Sequence, residues 1–305
     1  MEDNITISTF QLFKMFPTEK AARKYLEKRR WPNGVICPYC NEDKNITPRK
    51  QSFYRCNSCK KDFTVRTETI FERSHIPLHK WLYAMYLLMT SRKGISSLQL
   101  SKEIGITQKS SWFMLHRIRE ACGNDFIALH GVIEIDETYI GAKERNKHFD
   151  KKLNAGRGIV GKIPVIGMRE CGGRTKAEPI ASTESEHLNR AINQNVVSGS
   201  TLYTDDHRGY LKIPSIYNHK VINHSAGEYA KDGVSTNSIE SVWALLKRGL
   251  HGVYHHASKK HLSRYVDEFT FRLNDGNVAR HTLQRMDSLT QAMFSNHITY
   301  RELTA

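Results

Sequence analysis

Asp136, Asp205 and Glu240 lie in three separate segments, Lys247 follows the last of them by seven residues, and together these four are suited to chemistry at phosphorus. Asp136 falls in GVIEIDETYIG, where Ile133 and Ile135 alternate with Glu134 and Asp136. That alternation predicts a short strand with one apolar face and one carboxylate-bearing face. Asp205 closes the brief apolar run of TLYTDDHRGY. Glu240 lies in TNSIESVWALLKRGL, whose Ile239, Val242, Trp243 and Leu246 recur at helical spacing and leave Glu240 and Lys247 together on another face, two turns apart. Carboxylates delivered by three elements can hold two divalent cations about 4 Å apart, which clamp the attacking and leaving oxygens of an in-line displacement. Each position has a rival: Glu134 competes with Asp136, and Asp206 with Asp205. Asn237 followed by Glu240 also fits a helix N-terminal capping box, in which both residues would be structural.

The whole chain is built to meet a polyanion. Its 305 residues hold 46 Lys plus Arg against 31 Asp plus Glu, a formal charge of +15, and its pI is near 9.5, the electrostatic footprint of a nucleic-acid binder. The longest apolar run, WLYAMYLLM at residues 81 to 89, is too short to span a bilayer. The opening MEDNITISTFQLF carries no basic region followed by an apolar stretch, so neither a membrane nor a secretory role is expected. A cytoplasmic, nucleoid-associated protein is the expectation.

Four of the six cysteines form two knuckles, CPYC (Cys37, Cys40) and CNSC (Cys56, Cys59), with fifteen residues between them. This is the spacing of a tetrahedral four-cysteine zinc site. A redox motif needs only one CxxC, and a disulfide framework needs an oxidising compartment. Arg49, Lys50, Tyr54 and Arg55 lie between the knuckles and KKDFTVR follows them, so a small ribbon with basic and aromatic side chains is expected, suited to DNA or to a protein contact. Cys122 and Cys171 read as small buried or half-buried apolar residues.

The elements that must carry these sites follow from periodicity. PTEKAARKYLEKRRWPNG predicts a helix opened by Thr18 after Pro17 and closed before Pro32 and Gly34. SHIPLHKWLYAMYLLMTSRKG predicts another. In ISSLQLSKEIGITQKSSWFMLHRIREAC, Gly105 separates two apolar helical patterns, which describes a helix-turn-helix whose second helix opens at Thr107 to Ser111; Lys102, Lys109, Arg117 and Arg119 supply charge for phosphate contacts. An αα-hairpin without DNA contact gives the same pattern. Beyond residue 130 the order is three strands, a helix, further strands and helices, an α/β architecture in the manner of the ribonuclease-H fold. The expected division is 1–30 as an N-terminal helical segment, 31–72 as the zinc ribbon, 73–128 as the helical region, 129–275 as the catalytic domain and 276–305 as a C-terminal tail.

RRWPNGVICPYC, CNSCKKDFTVRTETIFERSHIPLHKW, EIDETYIGAKE, YTDDHRGY, NHSAGEY and STNSIESVWALLKRGLHGVYHHASKKHLSRYVDEFTFRLN together resemble bacterial insertion-sequence transposases of the DDE type with an N-terminal zinc ribbon. The resemblance runs from about residue 15 to residue 280. It implies a ribonuclease-H-like core, two Mg2+ or Mn2+ ions beside one structural zinc, double-stranded DNA as partner at element ends and target, and a homo-oligomer assembled on DNA. It matches Asp136 to the first catalytic acid, Asp205 to the second, Glu240 to the third and Lys247 to the basic residue that follows. Asn237 is the other contributor the resemblance admits at the third position, and Asp206 stands where it leads one to expect glycine. Water and then a freed 3′ hydroxyl would attack phosphorus, with Lys247 neutralising or positioning a phosphate. His224 is suited to DNA, to the active site or equally to the core, and the stretch bearing His251, Tyr254, His255, Lys259, Lys260 and Arg264 to DNA or, by default, to a solvated helix face. Two other readings share these features: a DNA-binding regulator whose catalytic domain is silent, and a structure-specific nuclease of the same fold.

Overall fold

The computed structural model describes residues 5–123, 128–141, 148–153, 158–222, 237–276 and 278–305, with Lys151 and Asn237 described by backbone alone. The chain divides into two compact units, Met1–Asn124 with Asp275–Ala305, and Asp125–Asn274.

In the first unit, α1 (Thr9–Met15) is opened by a capping box between Ser8 and Gln11. The expected Thr18 cap opens α2 (Glu19–Arg30), its hydroxyl accepting from the Ala21 amide. A three-stranded antiparallel ribbon follows, β1 (Ile46–Pro48), β2 (Tyr54–Cys56) and β3 (Asp62–Phe63). The remaining helices are α3 (Leu78–Thr90), α4 (Ser97–Ile104) and α5 (Gln108–Cys122). Gly105, at φ 62°, ends α4 in the left-handed region where a side chain is disfavoured, and Thr107 caps α5 through the Ser110 amide.

The segment 276–305, read from sequence as a tail, instead forms two helices that belong to this unit, Thr282–Phe294 and Tyr300–Thr304. The first packs against α2, α3 and α5, burying Met286, Leu289 and Met293 at helical spacing. Asp287 on it accepts from Tyr25 Oη at 2.7 Å and from Arg29. The same packing corrects the charge expected on α5. Arg117 and Arg119 are 5% and 1% exposed, and the Arg117 guanidinium lies over Phe113 with Nε donating to the Ile298 carbonyl. Burial lowers the Arg117 pKa to about 10. Lys102 and Lys109 alone of the four face solvent.

In the second unit, β4 (Val132–Ile140) is the central strand of a five-stranded sheet. It pairs antiparallel with β5 (Ile163–Glu170), which turns at Gly172 and Gly173 into β6 (Thr175–Pro179). On its other side β4 runs parallel to β7 (Thr201–Thr204), which runs parallel to β8 (Asn218–Val221). Helix α6 (Ser185–Asn195) covers the face carrying Ile133 and Ile135. The opposite face is covered by α7 (Asn237–Gly249) and α8 (Leu262–Asp275), through Ile239, Val242, Trp243 and Leu246. Cys122 is buried as expected, whereas Cys171 sits exposed at the β5–β6 turn.

Candidate active site

Alternation along β4 sends Glu134 and Asp136 toward α7, and Ile133, Ile135 and Glu137 toward α6. Glu134, 3% exposed, accepts from the Ser238 hydroxyl at 2.6 Å and the Ile239 amide at 3.1 Å. Its carboxylate thus anchors the positive end of α7. Asp136 lies two residues further along, and its Oδ2 accepts from the indole Nε1 of Trp243 at 2.9 Å. The residue paired with Asp136 across β5 is Gly167. A Cβ there would stand 2.4 Å from the Trp243 ring, so the absence of a side chain is what lets the indole lie against the sheet and reach the carboxylate.

Parallel pairing sets Glu134 opposite Tyr203, and continuing that register by two residues sets Asp136 opposite Asp205. Asp205 Oδ1 accepts from the His207 amide at 3.1 Å, and its neighbour Asp206 is exposed. The Asp136 carboxyl is pushed up to about 6, chiefly by burial and then by Glu137, with Asp205 adding to the rise and the Trp243 indole opposing it. Glu137 is also raised, first by burial and further by Asp205, while Tyr210 and His207 hold it down. The Tyr210 hydroxyl donates to Glu137 Oε2 at 2.6 Å. His207 Nδ1 stands 3.7 Å from Glu137 Oε1 but accepts from the Gly209 amide at 3.1 Å. A nitrogen that accepts carries no proton to share, so no hydrogen bond joins His207 Nδ1 to Glu137. Glu137 was not singled out from sequence; its tie to Tyr210 spans 73 residues, and no local pattern signals it.

Glu240 is exposed and sits three residues before Trp243, on the shoulder of the buried face of α7. It makes no hydrogen bond or ion pair among the described residues. Lys247 does not join the carboxylates either; it lines a cavity of about 650 Å³ with Tyr139 and Ile140 from the end of β4. The Asn237 side chain and His224 lie outside the described residues. Tyr254, grouped from sequence with DNA-facing residues, donates its hydroxyl to Glu268 at 2.5 Å and tilts against Tyr265, so its polar end is held inside the protein.

Two clusters differ in readiness for a metal. The four cysteine sulfurs lie within 4.8 Å of one another. Cys37 and Cys59 are 3.7 Å apart and Cys40 and Cys56 3.6 Å, close to the ~3.8 Å edge of a tetrahedron with Zn–S bonds of about 2.3 Å. The Cys59 amide leads in lowering the Cys56 thiol to about 7, favouring the thiolate a metal requires. Within the ribbon Tyr54 stacks on Phe63 and meets Trp31 edge-on, which makes it a packing residue; Arg49, Lys50 and Phe53 remain exposed at the hairpin tip. Among the described residues the cysteines form the one such group of three or more ligands, so Asp136, Asp205 and Glu240 are not gathered to a common coordination distance. Asp136 and Asp205 nevertheless fit a divalent cation chemically: they are neighbouring carboxylates whose mutual repulsion an ion would relieve.

The transposase zinc-ribbon domain family matches residues 17–62, and the ISXO2-like transposase domain family matches residues 128–274. The chain is 29% identical over 273 residues to an uncharacterized protein in transposable element ISH50 of Halobacterium salinarum, covering 85% of this chain and 92% of that protein. Among solved structures, a simian T-cell lymphotropic virus intasome in complex with PP2A regulatory subunit B56 gamma aligns over 63% of this chain and 65% of its own at 13% identity, with a TM-score of 0.28. No helix of the described residues is long and apolar enough to cross a membrane.

Proposed function

The chain belongs to the insertion-sequence transposases of the DDE type that carry a zinc ribbon, and from that premise we propose that it binds the terminal inverted repeats of its own element, cleaves a strand there and transfers it to target DNA. The observation that supports catalysis is the nearness of Asp136 to Asp205, which directly follows the strand running parallel to β4 and adds to the rise of the Asp136 carboxyl, while no cationic side chain acts on Asp136 among the described residues. In this reading the second unit is a ribonuclease-H-like domain.

Asp136 and Asp205 would hold the divalent ions, with Glu240 as the third ligand that α7 would supply. When bound, a pair of Mg2+ or Mn2+ ions supplies charge stabilisation to the attacking and leaving oxygens. Trp243 fixes the rotamer of Asp136 by donating to Oδ2, which orients the carboxylate that would act as ligand. Asp136 loses its proton on taking up a cation, so metal affinity rises with pH through about 6. The buried indole and Val242 exclude water from behind the carboxylate. Incubating the protein with duplex carrying the DNA that borders its own gene tests the whole reading. Metal-dependent nicking that frees a 3′ hydroxyl, followed by joining to a second duplex, is the expected result. Binding with no nicking would favour a silent regulator, and nicking with no joining a nuclease.

The knuckle cysteines Cys37, Cys40, Cys56 and Cys59 hold one structural zinc in this account. Elemental analysis should return about one zinc per chain, and Cys37→Ser with Cys56→Ser should abolish it. Unchanged zinc content in that variant would refute the assignment.

DNA recognition is assigned to the ribbon tip and to α4 and α5 as a helix-turn-helix, with Lys102 and Lys109 on phosphates. The Thr282–Phe294 helix packs on α2, α3 and α5, so the test of these lysines needs the C-terminal residues in place. In the full chain, Lys102→Ala with Lys109→Ala should reduce the slope of log affinity against log salt by about 2. An unchanged slope would remove both lysines from the interface.

A further inference from the structure

One hydrogen bond joins the segment that carries Asp136 to the segment that carries Asp205, and neither acid makes it. Tyr210, five residues beyond Asp205, donates its hydroxyl to Oε2 of Glu137, the residue after Asp136, at 2.6 Å. Strand pairing does not fix the spacing of the two acids. The ladder of β4 with β7 ends at Glu134 and Tyr203, β7 itself ends at Thr204, and Asp205 stands in the loop beyond. Ligands of a metal must be held to within about 0.5 Å, so a contact outside the sheet has to place that loop.

The loop keeps its shape through its own side chains. Asp205 Oδ1 accepts from the His207 amide at 3.1 Å, His207 Nδ1 accepts from the Gly209 amide at 3.1 Å, and the Tyr210 amide donates to the His207 carbonyl at 3.0 Å. Local turns of this kind set a shape and not a place. Two docking points set the place. Gly209 presses on the start of α6, where a Cβ would stand 2.5 Å from both Leu188 Cδ1 and the Thr183 carbonyl oxygen. The Tyr210 ring, 1% exposed, packs with Ile133, Ile135 and Leu188 between β4 and α6. A phenylalanine would fill that volume as well, so packing does not account for the hydroxyl. Burial obliges the hydroxyl to find a partner, and the one it finds is a carboxylate fixed on β4 beside Asp136, an acceptor whose charge makes the bond about twice as strong as a neutral one.

We infer, on the reading of Asp136 and Asp205 as metal ligands, that Tyr210 and Glu137 are positioning residues: their hydrogen bond braces the Asp205 loop against β4 and sets the spacing of the two acids for a divalent cation. The zinc-loaded full chain is titrated with Mn2+, the free ion being read by electron paramagnetic resonance, and Asp136→Asn marks the loss expected when a ligand is removed. Tyr210→Phe keeps the ring and should weaken Mn2+ binding about tenfold or more. Glu137→Ala should weaken it as much, and the two changes together no further, because either one already breaks the brace. Glu137→Gln keeps an oxygen that accepts from Tyr210, so it should stay within about threefold of the unsubstituted chain. In the metal-free protein, Tyr210→Phe should speed hydrogen exchange at the His207 and Gly209 amides by about tenfold or more. Unchanged Mn2+ affinity or unchanged exchange in Tyr210→Phe overturns the brace. A loss in Glu137→Gln as large as in Asp136→Asn also overturns it, by making Glu137 a ligand. Failure of the underlying reading looks different: Mn2+ affinity that is equal in Asp136→Asn and the unsubstituted chain sinks the metal site itself, whereas dependence on Asp136 without dependence on Tyr210 sinks the brace alone.

Discussion

Asp136→Asn should abolish DNA cleavage, by roughly 10³-fold or more, and should also stabilise the metal-free protein at neutral pH. The two effects share one cause. In the folded chain the Asp136 carboxyl is raised from its ordinary value of 3.8 to about 6, so between these pH values the native state binds more protons than the unfolded state. Stability therefore falls as pH rises through that window, and the full penalty is present above about 6. Asparagine keeps the oxygen that accepts from Trp243 and cannot ionise, so the penalty disappears, a gain of ~3 kcal/mol at most. A higher Tm for the variant at pH 7.5, with little difference at pH 4, is the expected calorimetric result. Equal Tm values at both pH values would show that Asp136 is not raised. Retained cleavage would show that it is not a ligand.

Gly167→Ala should be costly although it adds one methyl to a β-strand. The new Cβ would lie 2.4 and 2.5 Å from Cη2 and Cζ2 of Trp243, and an indole packed against a sheet cannot yield as a flexible chain end does. The expected loss is about 1–3 kcal/mol of stability, together with a fall in cleavage, because the indole that holds Asp136 is displaced. Trp243→Phe frees the space but removes the donor. The double variant should recover stability relative to Gly167→Ala without recovering cleavage, a coupling that a thermodynamic cycle measures directly. An unchanged Tm in Gly167→Ala would contradict the packing. Recovery of both properties in the double variant would show that the indole N–H has no part in activity.

Much of this was legible in the sequence wherever the signal was local. The alternation around Asp136, the Thr18 cap, the break at Gly105 and the two CxxC knuckles each depend on residues a few positions apart, and each produced the expected element. What could not be read depended on partners far along the chain. Arg117 and Arg119 look like phosphate ligands by type, yet the C-terminal helices enclose α5 and bury them. Those helices were themselves read as a tail, although Met286, Leu289 and Met293 carry a helical period that could have revealed them. Trp243 was legible as a core residue; its second role as donor to Asp136 spans 107 residues. Lys247 shares a helix face with Glu240, as the heptad spacing requires, but the two are about 10 Å apart along the axis, far enough for Lys247 to line a different cavity.

Glu240 stands exposed on α7 and makes no hydrogen bond to Asp136, so its role as third acid is tested by its own substitution. The decisive measurement is metal-dependent cleavage of DNA bearing the element ends by Glu240→Gln and Asn237→Ala, with DNA binding recorded for both. Glutamine keeps the size of the side chain and removes its charge. Glu240→Gln should bind DNA as the unsubstituted chain does and cleave at least about 10³-fold more slowly, while Asn237→Ala, a change at the first residue of α7, should cleave as the unsubstituted chain does. Full cleavage by Glu240→Gln with loss in Asn237→Ala would contradict the account and move the third ligand to Asn237.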